Sequence, residues 1–332
     1  MSLIDVIVGV KNEEKYIKKC IKSLQNQTVH DINILVVDGL SSDKTPQIVS
    51  EISEKDSRVK LLKNPREFIS SARNIGINYS KAEFIAYLDG HCYVGSNWLE
   101  TLYNTFLEYQ RQCKLAGVGS TYSSPSDDSF FGKTIAYSLQ TFFGGFGTAY
   151  TSNEKIISVE TVAFALYPRS ILLKEHVTYD EAMTQCEDTD FNYQFIRAGY
   201  NLLKHPGALV YQYRRSNPLE FARQMIDYGE GRARFTMNHP ETLHWYQVIP
   251  MVTLFYLFLF IIILAMFLWG WVGWELLLLT STPFIIYILI DLISTILVSK
   301  MIKNWKGIIA FILFPLEHFG YGIGYLKGII KG

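Results

Sequence analysis

The chain has 332 residues, with 31 Lys plus Arg against 31 Asp plus Glu, so it carries no net charge at neutral pH. That balance, with basic residues that form no patch interleaved with aromatics, argues against nucleic-acid binding. Four cysteines (Cys20, Cys92, Cys113, Cys186) lack paired metal spacing and are too sparse for a disulfide scaffold, which fits a reducing compartment.

The elements run as follows from the N-terminus. Met1 to Val10 contains Asp5 and is too short for a targeting core, so no signal peptide is expected. Ile4–Val10 is instead a buried, β-branched strand. Asn12 is expected to cap a helix whose Ile17, Cys20, Ile21 and Leu24 keep the i, i+3, i+4, i+7 spacing of one buried face. Ile32–Val37 is a second strand, followed by a Ser/Asp-rich turn and a helix near 44–55. Val59–Leu62 is a third strand, and Ser70–Ser80 a helix with Ala72, Ile75 and Tyr79 on one side. Phe84–Leu88 is a fourth strand ending at Asp89, after which Ser96 is expected to cap a helix bearing Leu99, Leu102 and Phe106. Strands alternating with helices imply a parallel α/β sheet, and such sheets bind ligands at the carboxyl ends of their strands. Lys11–Glu13, Asp38 and Asp89 are therefore expected to converge on one crevice. The segment 123–153, with Gly144, Gly145 and Gly147, reads either as a mobile excursion over that crevice or as a poorly patterned connection. A last strand falls at 208–213.

Residues 217–235 mix apolar positions (Leu219, Phe221, Met225) with basic ones, as in a helix lying on a membrane surface. From Gln247 to Trp274 no residue is charged, and Leu276–Ile290 is again uncharged. About 20 apolar helical residues cross the hydrocarbon, so spans are expected near 248–270 and 276–298. A weaker candidate, 307–326, carries Pro315, Glu317 and His318 and reads as a third span, a re-entrant segment or an interfacial helix. Trp269, Trp271 and Trp274 suit a membrane interface. Arg232 and Arg234 before the first span, and Lys300, Lys303 and Lys306 after the second, place the N-terminal domain in the cytoplasm. Asp291, inside a span, is expected to pair with His318 or Glu317, to meet a lipid head group, or to sit hydrated at the end of a tilted span.

Several residues carry chemistry. Asp89-Gly90-His91 closes a strand with two potential ligands one residue apart. A hard cation bridging diphosphate oxygens favours Asp89, and an imidazole second ligand tilts the choice toward Mn²⁺ over Mg²⁺. Asp38 ends a strand where its carboxylate can accept from a base N–H, while Ser41, Ser42 and Asp43 read as helix caps. Glu187-Asp188-Thr189-Asp190 opens a helix; its acids suit the helix dipole, yet one beside a cation site can serve as the general base that a sugar hydroxyl needs. Arg73, Arg214 and Arg215 have the donor fork that matches diphosphate oxygens.

The ordered set Val10-Lys11-Asn12-Glu13, Val37-Asp38-Gly39, Ser71-Ala72-Arg73-Asn74-Ile75-Gly76, Leu88-Asp89-Gly90-His91 and Glu187-Asp188 resembles family-two glycosyltransferases of the GT-A fold, over roughly residues 3–215. The D-G-H form and the Arg214-Arg215-Ser216 plus Tyr228-Gly229-x-Gly231-Arg232 tail look most like the succinoglycan-type exopolysaccharide glucosyltransferases. The resemblance implies an inverting transferase in which Asp38 reads the nucleobase, usually uracil. It implies that Asp89 and His91 hold the metal, Mn²⁺ or Mg²⁺, and the sugar diphosphate. Asp188 would be the catalytic base with Glu187 placing the acceptor, and Val10, Asn12, Glu13, Arg73, Arg214 and Arg215 would line the nucleotide. Gly9-Val10-Lys11 replaces the common Pro, and His91 replaces the commoner second Asp. The Gln-x-x-Arg-Trp motif of processive synthases is absent, which favours transfer of one sugar.

The expected protein is thus an α/β GT-A domain (1–215), an amphipathic interfacial linker (216–246) and a membrane domain (247–332) with two or three transmembrane helices. Its expected partners are a nucleotide-sugar donor, a lipid-linked acceptor and the membrane, with oligomerisation open. A polyprenyl-phosphate acceptor is the close variant. A nucleotidyltransferase lacks its Gly-rich basic loop here, and a non-catalytic membrane scaffold would bind no nucleotide.

Overall fold

A computed structural model describes residues 2–145, 154–183 and 185–331. The chain packs as two compact units, 1–125 with 152–213 and 126–151 with 214–332.

The first unit opens with β1 (Ile4–Val10), α1 (Ile17–Gln25), β2 (Ile32–Asp38), α2 (Thr45–Ser53), β3 (Val59–Lys63), α3 (Ile69–Tyr79), β4 (Phe84–Asp89), β5 (Cys92–Val94), α4 (Trp98–Tyr109) and β6 (Leu115–Ser123). Two helices of the second unit intervene, α5 (Phe130–Gln140) and α6 (Phe142–Gly145). The first unit resumes with β7 (Ile157–Val159), β8 (Leu166–Pro168), α7 (Arg169–Lys174), α8 (Glu187–Arg197) and β9 (Asn201–Gln212). The strands form one sheet in the order β3-β2-β1-β4-β8-β6-β9-β5, with β7 also on β9. β3, β2, β1 and β4 are mutually parallel, as their helical connections require. β8 runs antiparallel to β4 and β6, and β5 and β7 antiparallel to β9, so the sheet is mixed rather than wholly parallel.

Both faces of the sheet are covered, which explains why β1 is apolar throughout. Val6 and Val8 enter a core with Ile17, Ile21, Leu24, Trp98 and Phe106, whereas Ile7 points the other way, to Leu35, Ile77, Tyr87, Phe191 and Phe195. Each such buried aliphatic side chain contributes about 1.5–3 kcal/mol. α3 lies tight on β1 because Gly76 has no side chain: a Cβ there would come within 2.6 Å of Ile7.

Two expected caps are not formed. α1 begins at Ile17 with Tyr16 before it, and α4 at Trp98 with Asn97 before it; neither start has a side-chain cap. Asn12 and Ser96 therefore cap nothing, Asn12 because its side chain serves the neighbouring loop.

The second unit consists of α5, α6, α9 (Pro218–Asn238), α10 (Trp245–Leu268), α11 (Trp274–Ile302) and α12 (Ala310–Lys331). The described part of segment 123–153, up to Gly145, is thus helical over Phe130–Gln140 and Phe142–Gly145, with Ile135 and Leu139 packed against Phe221, Met225 and Leu313. Gly147 lies outside the described residues. α9 meets α12 along glycines, where a Cβ on Gly324 would come within 1.9 Å of the Ile226 carbonyl oxygen and one on Gly229 within 2.1 Å of the Tyr321 carbonyl oxygen. Phe221 and Met225 of α9 are therefore covered by protein, whereas Leu219 is 69% exposed. Among the described residues, three helices, Trp245–Leu268, Trp274–Ile302 and Trp305–Lys331, are long and apolar enough to cross a membrane; the first two are 6% and 11% buried and the third 50%, which makes the third the inner one. Asp291 is 1% exposed and accepts from the Thr295 hydroxyl (3.1 Å), while His318 lies 2.9 Å from the Tyr287 hydroxyl and 3.0 Å from the Phe143 carbonyl. Asp291 is therefore buried, with its hydrogen bond to its own helix rather than to His318.

Candidate active site

The parallel register sets Val10 opposite Asp38 and Gly9 opposite Asp89. With neighbouring strands about 4.8 Å apart, the backbones of Asp38 and Asp89 flank β1 at about 10 Å from each other. The expected convergence of these strand ends is present. The loops above them are stitched together. The Asn12 N–H donates to Ser41 Oγ and the Ser42 N–H to Asn12 Oδ1, both at 2.8 Å, with Asn12 in the left-handed region (φ 58°). The Glu13 N–H donates to Thr45 Oγ1 (2.7 Å) and the Gly39 N–H to the Val10 carbonyl (2.8 Å). Ser41 and Ser42 thus frame the loop after β1, whereas Asp43 Oδ1 accepts the N–H of Thr45, the first residue of α2 (2.9 Å).

Asp38 is 6% exposed, and its Oδ2 accepts from the Ser41 N–H (3.2 Å). Its Oδ1 is buried with no partner among the described residues. An unpaired buried acceptor costs about 1–3 kcal/mol, which a ligand N–H would recover.

At the end of β4, one ligand atom each from Asp89, His91 and Cys92 lie within 4.8 Å of one another. A carboxylate and an imidazole are a donor set suited to a divalent cation of the Mn²⁺ type. His91 Nδ1 is 2.8 Å from Glu13 Oε1, a contact that orients the ring. Cys92, 1% exposed, joins this cluster although no cysteine spacing signalled it.

Arg73 on α3, 5% exposed, gathers the acids. Its guanidinium hydrogen-bonds Asp188 and lies 3.4 Å from Glu187 Oε1 and 3.5 Å from Asp89 Oδ1. Burial opposes its charge, but Asp188, Tyr179, Glu187 and Asp89 outweigh that and raise its pKa further. Glu187 and Asp188 open α8 after Cys186, which takes a left-handed φ of 60°. The Asn192 amide holds that turn by donating to the Asp188 carbonyl (2.7 Å) and accepting from Tyr167 (2.8 Å).

Burial, and then the adjacent Asp188, push the Glu187 carboxyl up to about 7, against the pull of Arg73. Burial and Asp89 likewise raise Asp188, opposed by Arg73 and Tyr179. A carboxyl raised in the folded state binds more protons folded than unfolded, so stability falls as pH rises. In metal-free protein, the melting temperature is expected to decline between pH near 4.5 and about 7, and Glu187→Gln to flatten that slope. Identical slopes in the two proteins would refute this.

Of the predicted residues, Val10, Asn12, Glu13, Asp38, Arg73, Asp89, His91, Glu187 and Asp188 all lie in the first unit. Arg214 and Arg215 fall in the second, where the Arg214 N–H points to Asp128 Oδ2 (3.4 Å). The sequence reading passed over Tyr179, whose hydroxyl lies 3.4 Å from Asp188 Oδ1, and Gln212, whose Nε2 lies 3.4 Å from His91 Nε2. No local pattern marks either: Gln212 lies 121 positions from His91, and Tyr179, nine before Asp188, stands outside the helix that Asp188 opens.

Residues 5–174 match the family described as Glycosyl transferase family 2. A Methanococcus voltae protein named dolichyl N-acetyl-alpha-D-glucosaminyl phosphate 3-beta-D-2,3-diacetamido-2,3-dideoxy-beta-D-glucuronosyltransferase is 28% identical, over 100% of this chain and 98% of its own. The succinoglycan biosynthesis protein ExoA of Rhizobium meliloti is 24% identical over 74% of each chain. Among solved structures, the crystal structure of S. aureus TarS aligns with a TM-score of 0.48 and 17% identity, covering 75% of this chain and 45% of that one. With an α/β sheet domain and long apolar C-terminal helices, the chain belongs to glycosyl transferase family 2.

Proposed function

We propose that this transferase moves a single sugar from a UDP-sugar to a saccharide linked to a membrane lipid, with inversion at the anomeric carbon. The observation that carries the reading is the gathering of Asp89, Glu187 and Asp188 around Arg73, at the strand ends beside the unpaired Asp38 oxygen. A lipid-linked acceptor is supported by the M. voltae relative, which is matched from end to end and named for a dolichyl phosphate-linked sugar. Helices Trp245–Leu268, Trp274–Ile302 and Trp305–Lys331 would cross the membrane, with the catalytic unit on the cytoplasmic side by the bias of Lys300, Lys303 and Lys306.

In this reading Asp38 accepts an N–H of the base through Oδ1, and Val10 and Asn12 contact the nucleotide. Asp89 and His91, the latter oriented by Glu13, hold Mn²⁺ or Mg²⁺. When bound, the cation supplies positive charge to the departing diphosphate. Asp188 takes the proton of the acceptor hydroxyl as it attacks in line, and Glu187 hydrogen-bonds the acceptor. Arg73 keeps these carboxylates together by offsetting their repulsion.

Detergent-solubilised protein with Mn²⁺ and a panel of nucleotide sugars is expected to release UDP. Asp38→Ala is expected to raise the donor KM about 10- to 100-fold, the worth of a hydrogen bond to a charged group. An unchanged donor KM would remove Asp38 from the base site, and release of pyrophosphate instead of UDP would indicate nucleotidyl transfer.

A further inference from the structure

The motif Ser71-Ala72-Arg73-Asn74 places two polar side chains in succession on α3, and they do different things. Arg73 meets the carboxylates, whereas Asn74 turns to the chain that leads into α8. Asn74 Nδ2 donates to the Tyr179 carbonyl (2.9 Å) and to Glu181 Oε1 (3.0 Å), and its Oδ1 accepts the Tyr179 N–H (2.9 Å). One side-chain amide thus takes both backbone groups of Tyr179, as a neighbouring strand would. Glu181 is also paired with Arg66.

Tyr179 is 3% exposed, and its ring stacks on Phe191 with centroids 4.0 Å apart and planes within 8°. Phe191 lies one helical turn after Asp188, on the same side of α8. The Tyr179 hydroxyl reaches Asp188 Oδ1 at 3.4 Å, and the Arg73 guanidinium lies 5.1 Å over its ring. α3 is itself seated on β1 through Gly76. An unbroken path of packed and hydrogen-bonded groups therefore runs from the central strand through Asn74 and Tyr179 to Asp188.

We propose that Asn74 and Tyr179 are positioning residues for Asp188, setting where its carboxylate meets the acceptor hydroxyl. The inference rests on the assignment of Asp188 as the base. Asn74 touches no carboxylate of the Arg73 cluster, so it acts on Asp188 through the chain it grips at Tyr179 and Glu181, and Tyr179 in turn fixes the first turn of α8 and one oxygen of Asp188.

The test compares Asn74→Ala, Tyr179→Phe and Asp188→Asn with wild type in UDP-sugar transfer to a lipid-linked saccharide. Displacing a catalytic group by about 1 Å costs up to about 100-fold in rate, so Asn74→Ala is expected to lower kcat by about 10- to 100-fold with donor KM unchanged. Tyr179→Phe keeps the ring stack and loses only a hydroxyl, so a fall of about 2- to 10-fold in kcat is expected, with the melting temperature unaltered. Hydrogen exchange of Asn74→Ala is expected to show lost protection at the Tyr179 amide. Wild-type kcat in both variants, beside an impaired Asp188→Asn, overturns this inference alone. Parallel losses of kcat, donor binding and melting temperature overturn it in favour of a merely structural role. A fully active Asp188→Asn removes the assigned base, and this inference with it.

Discussion

Replacing Asp188 by Asn is expected to cut transfer to a hydroxyl acceptor by about 10²- to 10⁴-fold, the usual contribution of a positioned general base. The amide keeps the size of the side chain and a contact with Tyr179, but it takes no proton. The substitution also takes one carboxylate from Arg73, which retains Glu187 and Asp89, so folding and donor binding are expected to persist. The acceptor sharpens the result. A polyprenyl phosphate is ionised near neutral pH and needs no proton removed, so a variant inert toward a hydroxyl but active toward that phosphate separates proton removal from all other roles. Equal activity of Asp188→Asn and wild type toward the hydroxyl acceptor would show that the base lies elsewhere.

Arg73→Met is expected to be the most destabilising single change in the sheet domain. It leaves Asp89, Glu187 and Asp188 close together without their shared cation, and removing one partner of a buried ion pair costs about 3–5 kcal/mol. Partial exposure of Asp188, 34% at its side chain, favours the lower end. Without Arg73, the folded-state carboxyls hold protons to higher pH than the unfolded ones do. The deficit therefore grows as pH rises and shrinks toward acid pH, where the acids are protonated in both states. Melting curves of variant and wild type between acid and neutral pH check this. A constant gap would mean that Arg73 contributes packing rather than charge. Arg73→Lys keeps the charge but not the fork that reaches three acids, and an intermediate loss is expected.

The legible parts of the fold are those where one short-range period decides burial. Ile17, Cys20, Ile21 and Leu24 keep helical spacing and are all 0% exposed, and every residue of β1 is buried. β5, β7 and β8 have three residues each, too few for any period to register, so in the antiparallel half of the sheet only the end of β9 is legible, as the strand expected at 208–213. Asn12 has the chemistry of a cap, but a partner 30 residues away, Ser42, outcompetes the local helix. α5 and α6 follow the same logic: their glycines suggested a loop, and burial against Phe221, Leu313 and Phe314 made them helical.

By itself the sequence determined the apolar C-terminal helices, the strand-ending acids Asp38 and Asp89, and the acids that open α8, because each depends on residues near one another in the chain. Only the tertiary structure decided that Arg73 is the common partner of Asp89, Glu187 and Asp188, that Asn74 grips Tyr179, and that the third apolar helix is the inner one. Those contacts join segments up to 115 positions apart. Their geometry follows from how β1, α3 and α8 pack, which no local spacing encodes.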